Sequence, residues 1–203
     1  MRIDDTATPG TRWKSRVVMK VRSELQRHRG EAAIRTLPFN KKGLNMKKLK
    51  DQRLAILVDA ENLEISAFSL HKARIDYERL LEKLNGREIV RVIYYQQRKN
   101  WINGKASGFQ RYLEELGVEI RLTEKNADCY LTIDSVSLAD KADTIAILGG
   151  DGDYLPLIRY LKFRGVRTEI WMWPEATSTQ LRAEADVFVP LSTDVLRDEN
   201  QGR

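Results

Sequence analysis

The sequence holds one cysteine, Cys129, and two histidines, His28 and His71. A single thiol excludes an internal disulfide and gives no metal–thiolate cluster, so a reducing, cytoplasmic setting is expected. Two histidines argue against a His-based zinc site and against a Ser-His-Asp triad, so any hydrolytic chemistry has to run on carboxylates. No apolar run reaches transmembrane length, and no secretory signal with a hydrophobic middle is read. No phosphate-binding Gly-x-x-x-x-Gly-Lys-Ser/Thr loop is present, and Gly149-Gly150-Asp151 is not a dinucleotide fingerprint. Asp151-Gly-Asp-Tyr154 lacks the later Gly and closing Glu of an EF-hand loop. Asp59-Ala-Glu-Asn62 lacks the Asp-x-Asp of a phosphatase with an aspartyl nucleophile.

What is present is unevenly spread. The 203 residues suffice for one domain plus an extension, and 42% apolar content supports a core. Residues 1–53 carry fifteen Lys/Arg against five Asp/Glu, a balance of +10, whereas residues 54–203 balance at −4. The basic character therefore belongs to an N-terminal extension, taken as residues 1–50. Such an arm favours polyanions by counterion release, and a solvated tail fits the composition equally well. Within it, Val17, Val18, Val21 and Leu25 recur at helical spacing among arginines and lysines. A helix from Trp13 to about His28 would bind RNA or an anionic membrane surface, or dock on the domain. Residues 30–50 read as a linker, and Met46 is an alternative start. Asp4 and Asp5 are unusual for a transit peptide.

From residue 51 to 192 strands and helices alternate. Leu54–Asp59, Ile89–Tyr95, Val118–Leu122, Thr144–Leu148 and Arg167–Trp173 read as strands, with a short sixth at Val187–Leu191. Helices are expected near Tyr77–Leu84, Gly108–Leu116, Asn126–Ala139, after Tyr154 and from Ser178 to Ala185, with Asn126 a candidate cap. The stretch through Phe68 and His71 reads as a loop. This alternation argues for an α/β fold with helices on both faces of a parallel sheet. Residues 193–203 read as a C-terminal tail.

Acids mark the strand ends. Asp59, followed by Glu61 and Asn62, closes the first strand. Asp151 and Asp153 follow the fourth through Gly149 and Gly150. Asp128 opens the helix after the third. In a parallel sheet these positions share the C-terminal edge, where open α/β folds bind ligands. Each of Asp151 and Asp153 has a simpler role available, as a helix cap. Asp134 lies about 240° round the helix from Asp128 and reads as a structural acid. Clustered carboxylates without His or Cys suit Mg²⁺ or Mn²⁺, and such a site suits phosphodiester hydrolysis. Asn62 is placed to hold a bound water or a phosphate oxygen. Lys125 either faces a scissile phosphate or is plain surface charge. Arg98, Lys99, Trp101 and Lys105 follow the second strand on the same edge. They read as a single-strand nucleic-acid surface or, equally, as a basic loop with a partly packed Trp.

Four segments together resemble one family. Leu57-Val-Asp-Ala-Glu-Asn-Leu63, Lys125-Asn-Ala-Asp128, Leu148-Gly-Gly-Asp-Gly-Asp-Tyr154 and the segment from Ser178 to Phe188 are similar to the NYN domain, in the LabA-like branch of the PIN-like ribonucleases. The resemblance spans residues 52–192. The chain departs from the pattern at Ala60 (usually Gly), Gly149 (Ser) and Tyr154 (Phe). The resemblance implies a three-layer α/β/α sandwich with a mostly parallel sheet in the order 3-2-1-4-5. It also implies a site of Asp59, Asn62, Asp128, Asp151 and Asp153 around Mg²⁺ or Mn²⁺, and a ribonuclease acting on single-stranded or structured RNA. A regulatory RNA-binding module without turnover and a small metal-dependent phosphatase are the alternatives, and a homo-oligomer is compatible with either.

Overall fold

The structure is a computed structural model describing residues 52–101 and 106–197. The basic extension, the helix expected at Trp13 to His28 and Lys105 fall outside those residues.

Six strands form one sheet: β1 (Arg53–Asp59), β2 (Glu88–Gln97), β3 (Glu119–Thr123), β4 (Thr144–Leu148), β5 (Arg167–Met172) and β6 (Val187–Pro190). Their order is β3-β2-β1-β4-β5-β6, and every neighbouring pair is parallel. The expected order holds, with the short sixth strand added at the β5 edge and no antiparallel member. Leu54 to Val58 and Ile145 to Leu148 are buried in the two central strands. Strands covered on both faces need continuous rather than alternating apolar residues, and both runs have them.

Among the described residues, seven helices connect the strands: α1 (Ala60–His71), α2 (Tyr77–Leu84), α3 (Arg98–Trp101), α4 (Ala106–Glu115), α5 (Asp128–Leu138), α6 (Leu155–Phe163) and α7 (Thr179–Glu184). Right-handed crossovers place α1, α2 and α4 on one face and α5, α6 and α7 on the other. Side-chain contacts agree. Tyr77 of α2 and Phe109 of α4 pack their rings on Tyr94 of β2, with centroids 5.5 and 5.9 Å away. Across the sheet, Arg159 of α6 donates to Glu184 of α7 at 2.9 Å.

The segment through Phe68 and His71 is helix, not loop. Asp59 caps α1 by accepting from the Asn62 N–H, and Lys72 ends it in the left-handed conformation at φ 55°. Its buried residues are Ala60, Leu63 and Ala67, while the larger Ile65 and Phe68 face outward. The apolar bulk therefore lies on the wrong face for a periodicity argument. The second difference is at α5, where Ala127 rather than Asn126 is the N-cap residue and provides no side-chain cap. The Asn126 amide instead donates to Asp128 Oδ2 at 2.6 Å, which takes it away from the backbone.

In β5 Glu169 is only 4% exposed. Arg87 grips it with two hydrogen bonds, 2.8 and 3.0 Å, and Trp171 Nε1 adds a third at 3.1 Å. Burial pushes the carboxyl up, but the Arg87 and Trp171 donors prevail and hold it below its usual range. Residues 193–197, set apart above as tail, pack on the domain. Val195 accepts from the Asp76 N–H, and Leu196 bridges to Ile75.

Candidate metal centre

β1 and β4 are neighbours whose connections leave in opposite directions, β1 toward β2 and β4 toward β5. That reversal opens a crevice at the C-terminal edge, the place where open α/β sheets bind ligands. The crevice holds about 230 Å³ and is lined by Asp59, Asn62, Asp128 and Asp151, with Ile65 and Ser66 of α1 at its side.

Three of the expected carboxylates converge. Asp128, Asp151 and Asp153 each bring an oxygen within 4.8 Å of the other two. Asp151 stands at the head of the 3-10 turn Gly152–Tyr154 and accepts from the Asp153 N–H at 2.9 Å, so it caps the turn and faces the crevice at once. Oxygen-only donors at this spacing fit a hard dication such as Mg²⁺ or Mn²⁺.

Asp59 lies beside this group but is bound differently. It is 6% exposed, its Oδ1 accepts from the Asn62 N–H at 3.2 Å, and its Oδ2 accepts from the Tyr154 hydroxyl at 2.6 Å. The same hydroxyl lies 3.3 Å from Asp128 Oδ1. Burial raises the Asp59 carboxyl, against the hydrogen bonds from Tyr154 and Asn62. Asp128 is pushed up to about 6 by burial and by the charges of Asp59 and Asp151. Burial and the Asp59 carboxylate push the Tyr154 phenol far above its ordinary value, so it remains a neutral donor.

The glycines allow this packing. A Cβ at Gly150 would lie 2.1 Å from the Ala176 carbonyl oxygen. A Cβ at Gly149 would stand 3.3 Å from both Asp59 Cβ and Tyr154 Cε2. Asn62 Oδ1 accepts from the Gly150 N–H at 2.8 Å, and the Gly150 carbonyl accepts from the Ser178 N–H at 2.9 Å. These bonds tie α1, the β4 turn and the start of α7 into one unit. Asn62 therefore builds the site with its carbonyl.

Lys125 is exposed beside Asn126. Arg98 lies on the same edge and donates to Glu124 at 2.8 Å. Trp101 is half-buried, its ring 6.4 Å from Tyr94 and 6.1 Å from Phe109, while Lys99 is exposed. Asp134 accepts from Tyr95 at 2.7 Å and pairs with Arg121, away from the cluster, in line with its reading as a structural acid. Sequence reasoning missed the Tyr154 hydroxyl, because a tyrosine opening an apolar helix reads as core. Its one legible signal was the departure from Phe.

No curated protein matches the chain. Among solved structures, a protein of unknown function from Vibrio parahaemolyticus aligns with a TM-score of 0.68 at 24% identity, covering 73% of this chain and 98% of that one. This likeness shows a shared fold. A nicotinamidase from Staphylococcus aureus aligns at 10% identity over 66% of this chain and 87% of that one, but its TM-score of 0.32 carries no argument. The NYN domain profile matches residues 53–192, the whole of the sheet and its helices, so the chain belongs to the NYN domain family.

Proposed function

We propose that this protein is a metal-dependent ribonuclease that hydrolyses phosphodiester bonds of single-stranded or structured RNA. The observation that carries the proposal is the convergence of Asp128, Asp151 and Asp153 at the switch point between β1 and β4. These three carboxylates would hold the ion. A bound Mg²⁺ or Mn²⁺ lowers the pKa of water and offsets charge on the phosphate. Asp59 supplies further negative charge and fixes the start of α1. Asn62 keeps the Gly150 backbone, and with it Asp151, in place. Lys125 is positioned by sequence to face a phosphate oxygen. Arg98, Lys99, Trp101 and Lys105 form the proposed approach for the strand, by phosphate contact and stacking. Residues 1–50 would add salt-dependent affinity as a basic arm.

The test is cleavage of RNA by purified protein with Mg²⁺, Mn²⁺ or EDTA, alongside Asp151→Asn. Cleavage that needs metal and disappears in Asp151→Asn is expected. Protein that binds RNA but cuts none with either metal would refute the enzymatic reading and leave a regulatory module. Free phosphate released from a nucleotide monoester, with RNA chains intact, would make it a phosphatase.

A further inference from the structure

Helix α1 turns its large apolar side chains outward. Ala60, Leu63 and Ala67 face the core, whereas Ile65 and Phe68 are 60% and 61% exposed, the most exposed large apolar side chains among the described residues. Glu61, Ile65, Phe68 and Lys72 recur at spacings of four, three and four, so they form one stripe along the helix. The stripe begins inside the crevice, which Glu61, Asn62 and Ile65 line. It ends in a cation: Lys72 Nζ stands 5.4 Å from the centre of the Phe68 ring and donates to the Ser69 carbonyl at 3.4 Å. Tyr130 and Ile133 of α5 and Phe163 of α6 are exposed too, but these three do not line the crevice.

Two large side chains on one stripe fall far short of the about 800 Å² that a stable protein partner covers on each side. They match flat, unpaired bases, with an aromatic face for stacking and a cation beside it for a phosphate. Phe68 lies six residues past Asn62, about 9 Å along the axis, which is the rise of two to three stacked nucleotides at about 3.4 Å each. Gln97, which hydrogen-bonds Glu61, directly precedes Arg98, so the basic segment after β2 starts beside the head of the stripe. We propose that the outer stripe of α1 is a base-stacking subsite, in which Phe68 holds an unpaired RNA base two to three nucleotides from the phosphate at the crevice and Lys72 contacts the phosphate next to that base. The inference rests on the nuclease reading above and narrows its substrate to single-stranded RNA, because a base inside a duplex has no free face.

The test uses the full chain in EDTA, so that RNA stays intact and binding is read apart from cleavage. Fluorescence anisotropy follows a short labelled single-stranded RNA and the duplex made with its complement. Phe68→Ala should weaken the single strand about tenfold, the loss of one stacked base, and by the same factor at low and high salt, because stacking releases no counterions. Phe68→Trp should keep the natural affinity. Lys72→Ala should reduce the slope of affinity against salt by about 0.7, as the loss of one phosphate contact does. Duplex affinity should not change in any of the three. Natural affinity in Phe68→Ala overturns the proposal, and so does natural affinity in Phe68→Leu, which keeps the apolar contact without the ring. An equal loss on the duplex also overturns it. Sedimentation that shows a dimer of the natural protein dissolved by Phe68→Ala overturns it as well, because the stripe is then an interface between copies. Stacking on Phe68 without any cutting in Mg²⁺ or Mn²⁺ would leave the subsite and remove the nuclease reading. Metal-dependent cutting, with single-strand affinity indifferent to Phe68, would do the reverse.

Discussion

Gly150→Ala is the most severe small change the structure offers near the site. The added methyl would sit 2.1 Å from the Ala176 carbonyl oxygen and 2.9 Å from Thr177 Cα, both on the backbone. Ordinary contact needs roughly 1 Å more, and backbone atoms cannot swing aside as a side-chain tip can. Relief requires moving the β4 turn away from the segment 176–178. That movement breaks the bond from the Ser178 N–H to the Gly150 carbonyl and strains the one from the Gly150 N–H to Asn62. Overpacking costs about 1–3 kcal/mol, and two weakened hydrogen bonds add about 1–2. For a domain of this size a loss of about 3 kcal/mol lowers the melting temperature by about 6–12 °C. Asp151 follows Gly150 directly, so a displacement of roughly 1 Å should cut turnover about a hundredfold in protein that is still folded. Thermal melts, a Mn²⁺ titration and RNA cleavage measured in the cold separate the two effects. Gly108→Ala in α4 is the control, because nothing lies within 4 Å of the Cβ it adds and alanine favours helix. A Gly150→Ala protein with the natural melting temperature and metal affinity would refute the reasoning, since the packing at the turn could not then be as close as described.

Two further perturbations address the core and the charge of the cluster. Arg87→Ala removes the two-pronged partner of buried Glu169, leaving it the single Arg167 contact at 3.3 Å, and should cost about 3 kcal/mol by urea denaturation, while Mn²⁺ affinity of the folded protein stays unchanged. Asp128, pushed up to about 6, is the group whose proton a cation must displace, so Mn²⁺ affinity should fall as pH drops through about 6 and level off above about 7. The sign for stability is opposite. A carboxyl with a raised folded pKa binds its proton more tightly folded than unfolded, so its penalty is absent below about pH 4 and complete above about pH 6. Asp128→Asn should therefore stabilise the metal-free protein near pH 7.5 and lose that advantage near pH 4, as melts at the two pH values would read.

The sheet was legible because its central strands are buried on both faces and so cannot afford polar residues. Leu54–Val58 and Thr144–Leu148 advertise themselves, and the acids that follow them mark the ligand-binding edge. Helix α1 was not legible, because small Ala60 and Ala67 face the sheet while Ile65 and Phe68 face outward. Its start is marked by Asp59, whose carboxylate suits a helix cap as well as a metal ligand. Trp101 was left between a stacking surface and a packed side chain, since one aromatic in a basic stretch cannot declare its neighbours. The structure sets it against Tyr94 and Phe109, rings contributed by other elements.

That competition between cap and ligand is a property of the site. Asp59 and Asp151 both stand where a strand ends, both accept from a backbone N–H of the next turn, and both line the crevice. A helix entry leaves N–H groups without internal partners and favours negative charge there, so a carboxylate at that position stabilises the fold before any cation arrives. The fold thus offsets part of the repulsion that a cluster of acids would otherwise impose on the metal-free protein. It follows that Asp→Ala at either position would confuse lost capping with lost metal binding. Asn caps as well as Asp but carries no charge. Asp59→Asn and Asp151→Asn are therefore the substitutions that separate the two roles, and any destabilisation they cause should be smaller than that of the alanine variants by about 1 kcal/mol per cap.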